Sequence, residues 1–494
     1  MPITASTLYD LVNCPQRVAL DAFGDPAERD EPNAFVQLLW ERGAVFEGET
    51  IAKLKQPFLD LSPFEGDEKQ RLTLEAMQRG EPLIYSGRIS ADDLLGVPDV
   101  LRKEVGGYVP GDIKSGAGEE GGGDESDGKP KLHYAVQLGL YIDILERMKL
   151  SAGRRGFIWD VHGEEVAYDF TAPQGPRKPE TLWQEYQSAL LEARAILSRQ
   201  LTPQAAYSGA CKLCHWYTAC VAQLTATDDL TLIPFLGRSL RDAMQSSVAT
   251  IAEFALINPE GFIDGKKSLF PGLGPDRLRL FHARAVMLSD ATPKAYLRAP
   301  VSLPVTPVEL FFDIEVDPLR DICYLHGIVE RQDGNNDAER FAYFFAPEVT
   351  PDAERDAFAQ AYAYLTRNPQ AAIYYYSKYE RTIYRKLQAK YPEVCSADDI
   401  ERLFDPARSI DLYNDVVTKA TEWPTRDHSI KTLAKYLGFA WRDVHPSGAA
   451  SIEWFDRWCR EGDPVVKQRI LDYNEDDCRA TRVLLDGIRG LTAL

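Results

Sequence analysis

Four cysteines constrain the fold of this chain more than any other feature. Cys14 lies near the start, and Cys211, Cys214 and Cys220 stand together far downstream in ACKLCHWYTAC. Three thiols at Cys-x2-Cys-x5-Cys spacing can converge on one metal centre, and a fourth from the opposite end closes the loop like a clasp. A chain clasped in this way must bring the two ends of residues 1–222 together. Four thiolates on their own fit a zinc ion and an iron–sulfur cluster equally well. His215 sits inside the run and is read as a bystander.

The enclosed segment supplies chemistry. In GVPDVLRKEVGGYVPGDIKSG, Asp99 is followed by Asp112 and Lys114. The last two are two apart on an expected strand, so both side chains leave the same face. Two carboxylates can hold one or two Mg2+ or Mn2+ ions against a phosphate, and a lysine beside them can orient water or meet the developing charge. Thr4 or Ser6 is placed to cap a helix through LYDLVNCPQRVAL, with Cys14 at its end. A second helix, FVQLLWERGAVFEGETIAKL, carries Glu47, and LIYSGRI, GVPDVLRKE and GGYVPGDIKS read as short strands. A further helix, HYAVQLGLYIDILERM, sets Gln137 and Tyr141 four residues apart on one face.

This part of the chain resembles the RecB-type branch of the PD-(D/E)XK nucleases. RGAVFE matches the first motif, with Glu47 where many relatives carry His; GVPD matches the second and DIK the third, and Gln137 and Tyr141 match the trailing motif. The cysteine pattern is similar to that of AddB-type and CRISPR-associated RecB-family exonucleases. The resemblance implies a restriction-endonuclease-like fold and a nuclease site of Glu47, Asp99, Asp112, Lys114, Gln137 and Tyr141. It also implies a structural [4Fe–4S] cluster on Cys14, Cys211, Cys214 and Cys220.

Charge and hydropathy bound the partners. No apolar run approaches the roughly 18 residues of a bilayer span, and MPITASTLYD lacks a signal-peptide layout, so a cytoplasmic chain without a membrane partner is expected. In a reducing compartment clustered cysteines bind metal rather than pair, and the scattered Cys323, Cys395, Cys459 and Cys478 default to core positions. The net charge of −19 argues against nucleic acid. However, much of the acid is packed into GAGEEGGGDESDG (116–128), an expected unstructured insert, and metal-bound carboxylates invert the local charge. GDESDGKP within it has phosphate-loop spacing but ends in Pro130, which argues against an ATPase motor.

Residues 231–300 run the other way, with nine Lys and Arg against six Asp and Glu. IPFLGRSLRDAMQ and SLFPGLGPDRLRLFHARAVML each read as an apolar turn, a glycine and an amphipathic helix. Gly272 and Gly274 would open a helix N-terminus to an anion, with Arg277 and Arg279 one turn in. This stretch resembles helix-hairpin-helix units, which grip DNA phosphates without reading bases.

The last 190 or so residues carry a second acidic set. VELFFDIEVDP is an apolar strand with Asp313 and Glu315 on one face, and ILDYNEDDCRATRVLLDGI is a helix with Tyr473 one turn before Asp477. Acids on a buried strand facing acids on a helix suit two-metal phosphoryl chemistry, with Tyr473 orienting water. These motifs resemble the DEDD exonucleases of the RNase H-like fold, in the YprB-type branch. IYYYSKYERTIYRKL stands where the second motif supplies an Asp, and offers Glu380 instead. SIDLYNDVV and SIKTLAKYLGFAWR extend the likeness, with Asp411 as a supporting acid or a helix cap. Tyr374, Tyr375, Tyr376 and Tyr379 are candidates to stack on a base or to fill the strand.

The whole reading is an α/β multidomain chain: a PD-(D/E)XK domain over 1–222, a small helical DNA-binding module over 229–300 and an RNase H-like domain over 305–494. The expected activity is a metal-dependent DNA nuclease, acting as an exonuclease on single strands or ends, with a helicase or other DNA-processing protein as companion. RNA cleavage by the C-terminal domain and a non-catalytic DNA-binding role are the rivals.

Overall fold

The computed structural model describes residues 2–31, 34–121, 128–176 and 178–493. Residues 122–127 of the acidic insert, which include most of the phosphate-loop look-alike, lie outside the described residues, while Glu119–Glu120 and Lys129–Pro130 on either side pair as a short antiparallel ladder. The chain forms two compact units. The first comprises residues 1–205 and 209–220, the second residues 206–208 and 221–494. Among the described residues no helix is long and apolar enough to cross a membrane.

The first unit is built on a six-stranded mixed sheet. Its order is Glu165–Asp169, Arg155–Trp159, Gly107–Ile113, Val100–Glu104, Leu83–Tyr85 and Leu59–Asp60. Val100–Glu104 and Gly107–Ile113 form an antiparallel hairpin, while Gly107–Ile113 and Arg155–Trp159 run parallel. A parallel pair needs a crossover, and the helix Leu132–Arg147 provides it. That helix is buried along most of its length, packing Leu138, Tyr141 and Ile142 into one core with Leu8, Leu101, Tyr108 and Tyr186. Gly96 is dictated by this packing: a Cβ there would stand 2.7 Å from the Tyr141 ring.

The opening helix differs from the single one expected. Thr4 caps Ala5–Asn13 through a capping box with Thr7, and a second helix, Pro15–Phe23, starts immediately afterwards. Cys14 is the hinge, in extended backbone at φ −163°. The break has a local cause: proline at the first position of a helix is favourable, whereas inside one it removes a hydrogen bond.

The second unit contains a five-stranded sheet in the order Asn335–Phe345, Ile322–Gln332, Val308–Asp317, Ala372–Tyr375 and Ser409–Asp411. The first three strands are antiparallel, and the last two run parallel to Val308–Asp317. Strand alternation divides the central strand between two cores. Leu310, Phe312 and Ile314 pack with Phe358 and Tyr384 on one face. Phe311 turns to the other, with Cys478, Leu484 and Leu485 of the long helix Pro464–Arg489. Asp313 and Glu315 share the parity of Phe311 and so face that helix.

Residues 229–300 belong to this second unit. They form helices Arg238–Met244, Ile251–Leu256 and Pro275–Ser289 and a small hairpin, Ile263–Asp264 with Lys267–Ser268. Arg284 of the last helix reaches Glu422 through two nitrogens, at 2.8 and 3.2 Å, with both side chains buried.

Candidate active sites

In the first unit the hairpin register brings the acid–acid–lysine set together. Asp99 precedes the strand Val100–Glu104, and its Oδ2 accepts the Ile113 N–H at 2.7 Å. Its own N–H lies 3.4 Å from Asp112 Oδ1. Lys114 Nζ stands 2.9 Å from Asp112 Oδ2, and the Asp112 side chain is only 2% exposed. Burial, then the charge of Asp112, pushes the Asp99 carboxyl well above its ordinary range, opposed by Lys114. Burial alone would discharge Lys114, but Asp112 and Asp99 outweigh it and hold the ammonium above its usual value.

Glu47 and Tyr141 lie close enough to this pair for charge to act between them. Glu47, on the helix Ala34–Ala52, accepts from Tyr85 Oη at 2.9 Å, and its charge acts on Asp99. Tyr141 Oη lies 3.4 Å from Val97 O, and its hydroxyl is pushed up by burial and then by Asp112 and Asp99. Gln137, one turn before Tyr141, has its Oε1 buried with no hydrogen-bond partner among the described residues. Two neighbours were not anticipated: Tyr85, which holds Glu47, and Tyr134, whose ring lies 5.7 Å from Lys114 Nζ. Tyr85 pairs opposite Val100, next to Asp99, and only the strand register reveals it.

Cys14, Cys211 and Cys214 lie close enough to Cys220 for their charges to act on it. Burial, then Cys14, Cys214 and Cys211, pushes the Cys220 thiol up to about 12, and Cys214 is raised by burial with Cys14 and Cys211 contributing. Half-buried thiols that disfavour one another's charge fit a cationic centre that would take them as thiolates. His215 instead pairs with Asp21, its Nε2 2.6 Å from Oδ1.

In the basic stretch Gly272 adopts φ +76°, and Gly274 caps the helix that Pro275 begins. Arg277 lies over the Phe281 ring, 5.3 Å from its centroid. Arg279 is exposed but paired with Glu260 and Asp276, so a phosphate would have to compete with both acids.

In the C-terminal domain, Asp313, Glu315 and Asp477 each bring one oxygen within 4.8 Å of the others. Asn474 Nδ2 donates to Asp313 Oδ2 at 2.7 Å and lies 3.5 Å from Glu315 Oε1. Gly327, directly opposite Asp313 on the neighbouring strand, makes room for it: a Cβ there would be 1.6 Å from Asn474 Oδ1. Trp441 Nε1 donates to Asp477 Oδ1 at 2.6 Å. Lys431 Nζ reaches Tyr473 Oη at 2.8 Å and Asp477 Oδ2 at 3.4 Å. Burial, then Asp477, pushes Glu315 up to about 8, and Asp313 is raised by burial, Asp477 and Glu315. Three buried carboxylates that raise one another are relieved by a divalent cation, and an all-oxygen set suits Mg2+ or Mn2+.

Glu380 departs from the expected ligand set. It is buried on the helix Tyr379–Lys390, close enough for its charge to act on Asp313, but stays outside the group of three. Burial pushes its carboxyl up to about 8. Asp411 takes the capping role, accepting the Asn414 N–H at 2.9 Å. Tyr374 and Tyr375 are core residues, Tyr374 stacking on Phe311 with centroids 5.6 Å apart, which leaves no face for a base. Tyr379 is 47% exposed and stays available. Lys431, Trp441 and Asn474 were all missed by sequence reasoning, although each lies within or beside a quoted motif.

Residues 310–488 match RNase_H_2, a family model of the RNase H superfamily. The C-terminal domain is RNase H-like. The match spans the strand that carries Asp313 and Glu315 and the helix that carries Asp477, and it points to a nuclease-type activity on nucleic acid supported by Mg2+ or Mn2+. No curated protein matches the chain.

Proposed function

We propose that this chain is a metal-dependent nuclease with two hydrolytic centres, acting on DNA as an exonuclease at single strands or ends. The observation that carries the nuclease reading is the convergence of Asp313, Glu315 and Asp477 inside an RNase H-like domain. Those three residues would hold Mg2+ or Mn2+, which when bound supplies Lewis-acid activation of the phosphate and of water. Asn474 and Trp441 fix the carboxylates, and Tyr473 orients the attacking water. In the first unit Asp99 and Asp112, with Glu47, would hold a second metal centre. Lys114, kept charged by its acidic neighbours, meets the negative charge that builds on the phosphate.

Cys14, Cys211, Cys214 and Cys220 would hold a [4Fe–4S] cluster with a structural role, supported by the family likeness and by the charge effects of Cys14, Cys211 and Cys214 on Cys220, with Zn2+ as the alternative occupant. The basic stretch around Gly272, Gly274, Arg277 and Arg279 would grip the DNA backbone, and a helicase could supply the strand. A second reading, an RNA-directed enzyme, is favoured by one observation: the superfamily match falls on the C-terminal domain alone. Anaerobically purified protein incubated with matched DNA and RNA oligonucleotides in Mn2+ separates the two. Degradation of DNA supports the first reading, and degradation of RNA alone overturns it. Iron and sulfide analysis of the same sample distinguishes the cluster from zinc.

A further inference from the structure

The acidic trio of the C-terminal domain has a positive side chain built into it. Lys431 extends from the helix Ile430–Tyr436 to Tyr473 Oη and Asp477 Oδ2, at 2.8 and 3.4 Å. Its charge also acts on Asp313 and Glu315. With Trp441 on Oδ1, the lysine leaves both oxygens of Asp477 with a donor. On the other side the fourth acid is withdrawn: Glu380 is 4% exposed, and its Oε2 lies 3.4 Å from Ser377 Oγ. A second divalent ion beside Asp477 would sit against the ammonium and would lack the carboxylate that Glu380 keeps to itself. Like charges at such separation repel strongly where water is scarce.

We infer that this centre holds a single divalent ion and that Lys431 stands in for the second cation, neutralising Asp477 and aiming the Tyr473 hydroxyl. Lys431 is therefore a positioning residue that acts through Asp477 and Tyr473. The inference rests on the nuclease reading of the C-terminal domain and deepens it.

The test uses the full chain with its cysteine centre loaded and the N-terminal centre silenced by Asp112→Asn. Bound Mn2+ is counted from the loss of the free-ion electron paramagnetic resonance signal. One ion that disappears on adding Asp313→Asn supports the inference. Two ions that disappear together overturn it. If no ion depends on Asp313, the metal-site reading itself falls, and this inference with it. Cleavage gives the second arm. Lys431→Ala should lower kcat by about 100-fold, the scale of losing one well-placed cationic donor, with KM little changed and the circular dichroism spectrum intact. Added propylammonium should restore part of the rate, and Lys431→Arg should retain more than Lys431→Ala. A Lys431→Ala enzyme at wild-type rate, or one that no alkylammonium rescues, contradicts the assignment.

Discussion

In the first unit the lysine that balances the acids comes from the same strand as one of them. Asp112 and Lys114 are two residues apart, and strand geometry alone sets their side chains together. In the C-terminal domain the acids come from a strand and a helix, and Lys431 arrives from a third element, 46 residues away from Asp477. One centre is written locally, and the other is assembled by tertiary packing. The first should therefore tolerate loosening of its surroundings better than the second.

The largest effect that sharpens this contrast is removal of the cluster proposed for Cys14, Cys211, Cys214 and Cys220. Cys220→Ser, or iron chelation, should abolish the first unit's cooperative melting while the second unit's transition stays in place. A scanning-calorimetry trace in which both transitions vanish together would break the distinction. Next is Glu422→Gln, which strips Arg284 and Arg298 of their buried partner in the second unit. Breaking a buried pair costs about 3–5 kcal/mol, so the second unit's transition should fall and the first unit's should not. Urea titration followed by domain-specific tryptophan signals measures both.

A pH experiment comes third. Glu315 and Glu380 sit at about 8 in the folded domain, against an ordinary value of 4.5. The folded state thus holds protons that the unfolded chain has released. Their contribution to stability is complete below about 4.5, is lost as pH rises towards about 8, and levels off above that. Metal-free protein should melt lower at pH 8 than at pH 5, and Glu380→Gln should flatten part of that slope. An unchanged slope in the variant would show that Glu380 is not the group responsible. The smallest effect is expected from Tyr85→Phe. Losing one hydrogen bond to a carboxylate is worth roughly 1.5–3 kcal/mol at most, so the N-terminal centre should slow by about tenfold, in an assay run on Asp313→Asn protein.

The division between local and tertiary also explains what could be read from the sequence. The strands around Asp99 and Asp112, the helix with Gln137 and Tyr141, and the parity of Asp313 and Glu315 all follow from periodicities of two and 3.6. Asn474 and Lys431 do not, because their roles depend on which loop returns to the acids. Asn474 reaches Asp313 only because Gly327 lacks a side chain on the next strand. Glu380 matched a motif by position, yet helix geometry and burial hold it back from the trio. The tyrosine run looked like a stacking platform, but strand alternation and a central position turn Tyr374 and Tyr375 into core. The two helices that meet at Cys14 were read as one, since the proline that divides them is equally at home at a helix start.

The most direct test of two hydrolytic centres in one chain is cleavage of end-labelled single- and double-stranded DNA in Mn2+ or Mg2+. Wild type would run beside Lys114→Ala, Asp313→Asn and the double variant. Each single variant should lose part of the cleavage, and the double variant all of it. Wild-type protein that cuts nothing with its metals bound, or a double variant that cuts as fast as wild type, would contradict the account.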